Sequence, residues 1–257
     1  MINSSGVTEA ILTAAVGVVA GGLNAVVGSG TLVTFPALLA FGYPPVVANA
    51  SNTVGLVPGS LAGAYGYRAE LAGQRRLLLR LSVIGILGGA TGAGLLLVLP
   101  PAVFRSVVPV LIILAVVLVI IQPWLSRRLR TRPTTGEDGG VRVGWALGLG
   151  VFATSVYGGY FGAAQGVLLI GLLGVLTSER LQRLNGIKNV LTGLVNAVAA
   201  LVFVAGGQVD WRPALLIAAG SAVGGLLGGR YGRRLPDAVL RGLIVAVGVT
   251  AVVRMLV

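Results

Sequence analysis

One register runs through this sequence from end to end: marks in the first half return 136 positions later. Gly30 is matched by Gly166, Asn49 by Asn185 and Arg76 by Arg212. Gly88, Gly89 and Gly92 are matched by Gly224, Gly225 and Gly228, and "LPPAVFR" at 99–105 by "LPDAVLR" at 235–241. A spacing held without a gap through glycines, prolines and arginines predicts two copies of one unit. The copies are expected at 1–125 and 144–257, joined by a polar linker over 126–143 that includes "SRRLRTRPTTGEDGGVR".

Each unit is too apolar for water. Of 257 residues, 56% are hydrophobic and only 10% charged, and mean hydropathy is +0.96. A soluble domain carries about 25% charged residues. Val107–Ile121 and Ala214–Leu227 are long, apolar and uncharged, as membrane-crossing helices require. Strands of a barrel would alternate apolar with polar residues, and these do not. The fold class is therefore an all-α polytopic membrane protein, with the lipid bilayer as its first partner.

Within each unit the parts come in one order. A hydrophobic segment (about 8–27 and 144–163) leads to a small-residue break, "GSG" at 28–30 and "AAQG" at 163–166. A short segment follows (31–42 and 167–176), too short to cross about 30 Å of hydrocarbon as a helix. Three long helices come next, near 46–66, 77–98 and 102–122, then 183–206, 212–230 and 236–257. The break and short segment predict a re-entrant hairpin of broken helices.

Charge orients the copies. Unit one has cationic loops at Arg68–Arg80 and in the linker, whereas the equivalent stretch near Gly206–Arg212 is almost neutral. Unit two places Arg230, Arg233 and Arg234 after its next helix, and Arg180 and Arg183 before its first long one. The matching positions of unit one (94–98, Pro44 and Val47) are uncharged. Under the positive-inside rule the copies insert with opposite orientation, the linker is cytoplasmic and both termini lie outside. The first 25 residues carry Glu9 and no Lys or Arg, so the cationic start of a signal peptide is missing and the segment is expected to be retained.

Inverted repeats with broken helices place a ligand site at the membrane midplane. The N–H groups opening each short helix, with the positive dipole end, favour an anion. Gly30 and Gly166 would let backbone approach it, and Ser29, Thr31 and Gln165 add hydroxyl and amide groups; Asn24 lies just upstream. Gly88, Gly89, Gly92 and their partners read instead as close-packing residues. The stretch "LNGIKNVLTGLVNA" contains the chain's single lysine. Asn185, Lys188, Asn189, Thr192 and Asn196 share one helical face, and unit one repeats most of it as Asn49, Asn52, Thr53 and Ser60. A polar stripe is costly against lipid and belongs against protein or a wet cavity. Lys188 stands where unit one has neutral Asn52, and its nearest acid, Glu179, is nine residues upstream. It needs an anionic ligand or water to stay charged, or it snorkels to the interface past Arg183. Tyr157 and Tyr160 precede the second break as hydroxyl donors or interface aromatics.

Several chemistries are excluded. With no Cys and no His, no thiolate chemistry, disulfide or soft-metal site is expected, and no cofactor. Glu9, Glu70, Glu137, Asp138, Glu179, Asp210 and Asp237 all fall in loops or at segment ends. That disfavours a cation permease, a proton relay of carboxylates and an intramembrane hydrolase. The net charge of +12 comes from arginines between apolar segments, a membrane-flanking pattern rather than a nucleic-acid surface.

"AGGLNAVVGSGTLVTFPALLAFGYPPVVANASNTVGL" (20–56) resembles the sulfite exporter TauE/SafE family of membrane permeases. The likeness lies in the glycine-rich break, the Pro-containing short helix and the Asn/Ser/Thr-rich stretch after it, and it extends over nearly the whole chain. The break departs from a more glycine-rich form, being "GSG" in one copy and "AAQG" in the other. The resemblance implies transport of sulfite, sulfonates such as sulfoacetate, or related organosulfur anions. The expectation is a secondary transporter of a small anion in a bacterial inner membrane, working by alternating access, with room for a homodimer. A non-transport membrane scaffold or assembly factor stands as the alternative, beside the cation permease.

Overall fold

The computed structural model describes residues 4–130, 144–177, 179–231, 242, 245–247 and 249–250. The described residues are all-helical: α1 (Ser4–Val26), α2 (Thr31–Ala40), α3 (Pro45–Gly66), α4 (Arg75–Val98), α5 (Pro101–Arg130), α6 (Trp145–Tyr160), α7 (Gln165–Leu176), α8 (Leu181–Ala205) and α9 (Trp211–Tyr231). Five of them, α1, α4, α5, α8 and α9, contain segments long and apolar enough to cross a bilayer. α3 is 22 residues long but carries the polar stripe. α5 runs on to Arg130, so the first residues of the expected linker are helical. The remaining linker and most of the segment expected at 236–257 lie outside the described residues.

The short helices lie within two residues of the expected bounds, α2 ending at Ala40 and α7 at Leu176. At a rise of about 1.5 Å per residue, 10 residues in α2 and 12 in α7 reach roughly half of a bilayer core. Each doubles back. The Tyr43 hydroxyl, just past α2, donates to Glu9 Oε1 near the start of α1 at 3.0 Å. Burial and that hydrogen bond push the Tyr43 phenol up to about 12, so it stays a donor at neutral pH. Past α7, Glu179 accepts from Gln74 Nε2, next to the start of α4, at 3.1 Å.

Small residues set the helix directions. α1 lies along α9 with Gly17 on Ile217 and Gly21 on Ser221; α3 lies along α9 with Gly55 on Ile217 and Gly66 on Gly229. These three run the same way. α4 carries α6 and α8 alongside it: Gly148 meets Ile84, Gly88 meets Phe152, and Gly206 meets Leu97. α3 and α8 are antiparallel, with Gly193 at Ser60, Asn189 at Gly63 and Gly186 at Tyr67. The first helix of each half thus packs on the fourth helix of the other half. In lipid no hydrophobic drive separates helix from tail, so close backbone approach at such small residues supplies the adhesion. Large apolar side chains face outward, among them Val83, Leu87, Val110, Ile113, Val117 and Ile120, while Asn49, Asn52, Lys188 and Asn189 are completely buried.

Helix bounds recur at the spacing of the sequence in part. α3 and α8 begin 136 positions apart, as do α4 and α9. The first helices and their breaks do not. Gly28 and Gly162 are the left-handed glycines that end α1 and α6, at φ +83° and +78°, and they stand 134 apart. Their N–H groups bond equivalently, Gly28 to the Leu23 carbonyl at 3.0 Å and Gly162 to the Tyr157 carbonyl at 3.2 Å. The two-residue change of register is taken up in the short helices, 10 residues against 12. Gly30 and Gly166, matched by the gap-free reading, are therefore not structural equivalents.

Candidate functional site

A helix that stops inside a membrane leaves its last carbonyls without partners and without water to take their place. α1 and α6 both end at buried breaks, and the polar stripes of the opposite halves meet their ends. Asn49 of α3 donates from Nδ2 to the carbonyl of Tyr160, the last residue of α6, at 3.0 Å. From α8, Lys188 Nζ donates to the carbonyls of Asn24 and Ala25 in the last turn of α1, at 3.3 and 2.9 Å. Asn189 Nδ2 adds a bond to Ala25 O at 3.1 Å. Lys188 is 0% exposed, so it does not snorkel to the interface. Its partners are main-chain carbonyls at the negative end of a 23-residue helix, a favourable place for a cation.

The two breaks touch. Gly166 N–H donates to Gly28 O at 3.2 Å, and an added Cβ on Gly28 would lie 2.5 Å from Gly166 Cα. A Cβ on Gly166 would lie 2.9 Å from Lys188 Cδ. Gly30 is tight against α1 instead, with a Cβ there 2.7 Å from Ala20 O and 3.0 Å from Asn24 Cβ. The glycines of the breaks thus bring backbone to backbone at one junction, with the lysine stem along it.

The other expected site residues divide by what their polar atoms do. Asn52 is held on α2, donating to Thr31 Oγ1 at 3.2 Å and accepting from Thr34 Oγ1. Asn24 Nδ2 donates to Ser60 Oγ at 2.8 Å. Thr53 and Thr192 return their hydroxyl protons to their own helices, at Asn49 O and Lys188 O. Tyr157 uses its hydroxyl on Ala163 O of the second break at 2.6 Å. Tyr160 packs edge-on to Phe104, with ring centroids 5.6 Å apart, and Phe35 packs similarly on Phe161 at 5.2 Å. Five others keep a buried polar atom with no hydrogen-bond partner: Ser29 Oγ, Asn49 Oδ1, Gln165 Nε2, Asn185 Oδ1 and Asn189 Oδ1. Buried polar atoms are nearly always paired, so these atoms of the breaks and of the α3 and α8 stripes are candidate ligand contacts. Gly28, Gly162 and Thr34 were missed by sequence reading; the first two were legible only as helix-ending glycines. No group of His, Cys, Asp or Glu suited to a metal occurs among the described residues.

Among the described residues nine helices, two of them short and doubled back, with polar groups turned inward and apolar ones outward, define a multi-pass membrane protein. The chain belongs to the sulfite exporter TauE/SafE family, whose profile matches residues 13–255. It is 26% identical over 230 residues to a probable membrane transporter protein of Haemophilus influenzae, covering 90% of this chain and 88% of the relative. Over 233 residues it is 26% identical to the probable membrane transporter protein YfcA of Escherichia coli K12, covering 90% and 84%. A probable membrane transporter protein, ORF9, of a Sinorhizobium species is 25% identical over 244 residues, covering 93% and 88%. No solved structure matches the chain.

Proposed function

We propose that this member of a transporter family moves a small oxyanion, sulfite or a sulfonate such as sulfoacetate, across a bacterial inner membrane by alternating access. The observation that carries this reading is the junction of the breaks. At that junction Lys188 Nζ and Asn189 Nδ2 meet the end of α1 and Gly166 meets Gly28, while the breaks and the α8 stripe contribute the unpartnered atoms of Ser29, Gln165, Asn185 and Asn189. An ammonium has three protons. Two are given to Asn24 O and Ala25 O, which leaves one for an anion. The first-turn N–H groups of α7 already serve Gly162 O, Gly28 O and Ala164 O, and those of Leu32, Val33 and Thr34 in α2 serve Ser29 O and Gly30 O, so side chains are the donors left for an oxyanion. Asn, Ser and Gln side chains would orient the ligand, and the α1–α2 and α6–α7 hairpins would alternate in exposing it.

The test is thermal stability of the purified protein against sulfite, thiosulfate, sulfoacetate, taurine and simple carboxylates. A bound anion at about 100 times its Kd stabilises by about 2.7 kcal/mol. A chain of this size should then melt roughly 5–10 °C higher. No response to any of these anions would sink the reading.

Topology gives a second expected outcome. Arg68, Arg75, Arg76, Arg180, Arg183 and Arg230 gather at the end where α3 and α9 finish and α4 and α8 begin. Arg105 and Arg212 lie at the opposite end. The positive-inside rule makes the first end cytoplasmic. Cysteines introduced near residue 3 and after residue 257 should react with an impermeant thiol reagent from outside, and one at 135 only after lysis. Termini labelled from opposite sides would refute opposite insertion of the halves.

A further inference from the structure

The ends of α1 and α6 are capped by unlike chemistry. At α6 a neutral amide, Asn49, serves one carbonyl. At α1 the Lys188 amine serves two, and Lys188 stands where α3 has Asn52, which bonds to α2 side chains instead. Lys188 is fully buried and makes no salt bridge among the described residues; its Nζ bonds to two main-chain carbonyls. What holds the ammonium is therefore the dipole end of α1 and the two carbonyls. Carbonyls at the C-terminal end of a half-helix are the groups that coordinate Na⁺ in transporters built from broken helices. Asn189 adds a further oxygen beside them: its Nδ2 is on Ala25 O, and its Oδ1 is buried with no partner.

We infer that the C-terminus of α1 is a monovalent-cation site, built from Asn24 O, Ala25 O and Asn189, which the chain fills with its own Lys188 ammonium in place of an external ion. The inference concerns the cation side of the junction and holds whichever anion is carried. Its consequence is that the natural protein takes no sodium ion at this position. Removing the lysine side chain opens the position to a small free cation.

The experiment follows the melting of the purified full chain at constant chloride concentration, replacing choline chloride by methylammonium chloride or NaCl. Lys188→Ala in choline should melt below the natural protein. Methylammonium or Na⁺ should raise it saturably, by about 3–5 °C at ten times the cation's Kd. The natural protein and Lys188→Met, whose side chain fills the position, should not respond. An Ala variant that is indifferent to both cations overturns the inference, as does an equal rise in the natural protein. If the Ala variant folds only when methylammonium is present, the inference is supported. Lys188→Ser, which keeps one donor for the carbonyls, is measured alongside. Failure of both Ala and Ser variants to fold in any of the salts, with Lys188→Met folding normally, also overturns it. No anionic ligand enters the measurement, so its failure is separate from failure of the transport reading.

Discussion

Gly28→Ala should cost the protein most of its folded stability, while the same change at Gly42 should cost little. Both glycines have left-handed backbone, φ +83° and +88°. An L side chain there costs about 1–2 kcal/mol. At Gly42 nothing lies within 4 Å of the added carbon, so strain is the whole cost. At Gly28 the carbon would sit 2.5 Å from Gly166 Cα and 3.0 Å from Gly166 C, both backbone atoms of a buried break. The junction must then part, and the bond from Gly166 N–H to Gly28 O at 3.2 Å is lost. A buried donor left without a partner costs about 1–3 kcal/mol. Together these make about 2–5 kcal/mol, roughly 5–20 °C in melting temperature for a chain of this size. Melting of the two purified variants in one detergent checks it. Equal shifts at positions 28 and 42 would mean that the breaks are not packed on each other.

That contrast also shows what could be read from the sequence. Long apolar runs, the short second segment of each unit and the inward polar stripes follow from hydropathy and helical period, and the structure has them. The close-packing role expected of Gly88, Gly92, Gly224 and Gly228 is also how they sit, against backbone of α6 and α1. The register of the breaks was not legible. A gap-free spacing of 136 aligned Gly30 with Gly166, because α3, α4, α8 and α9 do keep that spacing. Two residues more in α7 than in α2 shift the preceding segment, and only the φ angles of Gly28 and Gly162 reveal it. The partners of Lys188 were hidden for another reason. They are main-chain carbonyls, which every residue has, so no side chain in the sequence marks them.

Lys188→Met should lower anion affinity about 30-fold or more. Losing one partner of a buried, hydrogen-bonded charge pair costs about 2–5 kcal/mol, and each 1.4 kcal/mol is tenfold. The fold should survive the change. Ala25 O keeps its bond from Asn189, Asn24 O loses its side-chain donor, and an expensive buried ammonium is no longer desolvated. Lys188→Arg should restore part of the affinity, since the charge stays but a planar fork replaces a compact head beside Gly166. Lys188→Glu should abolish binding and destabilise the apo protein too, because a carboxylate would face both the anion and the carbonyls at the negative end of α1. Titration calorimetry with the anion that stabilises the natural protein separates the two duties of the side chain. Undiminished affinity in a folded Met variant would show that the ammonium serves α1 alone. A loss in Met that Arg partly recovers would place its third proton on the ligand, and the end of α1 and the bound anion would then share a single charge.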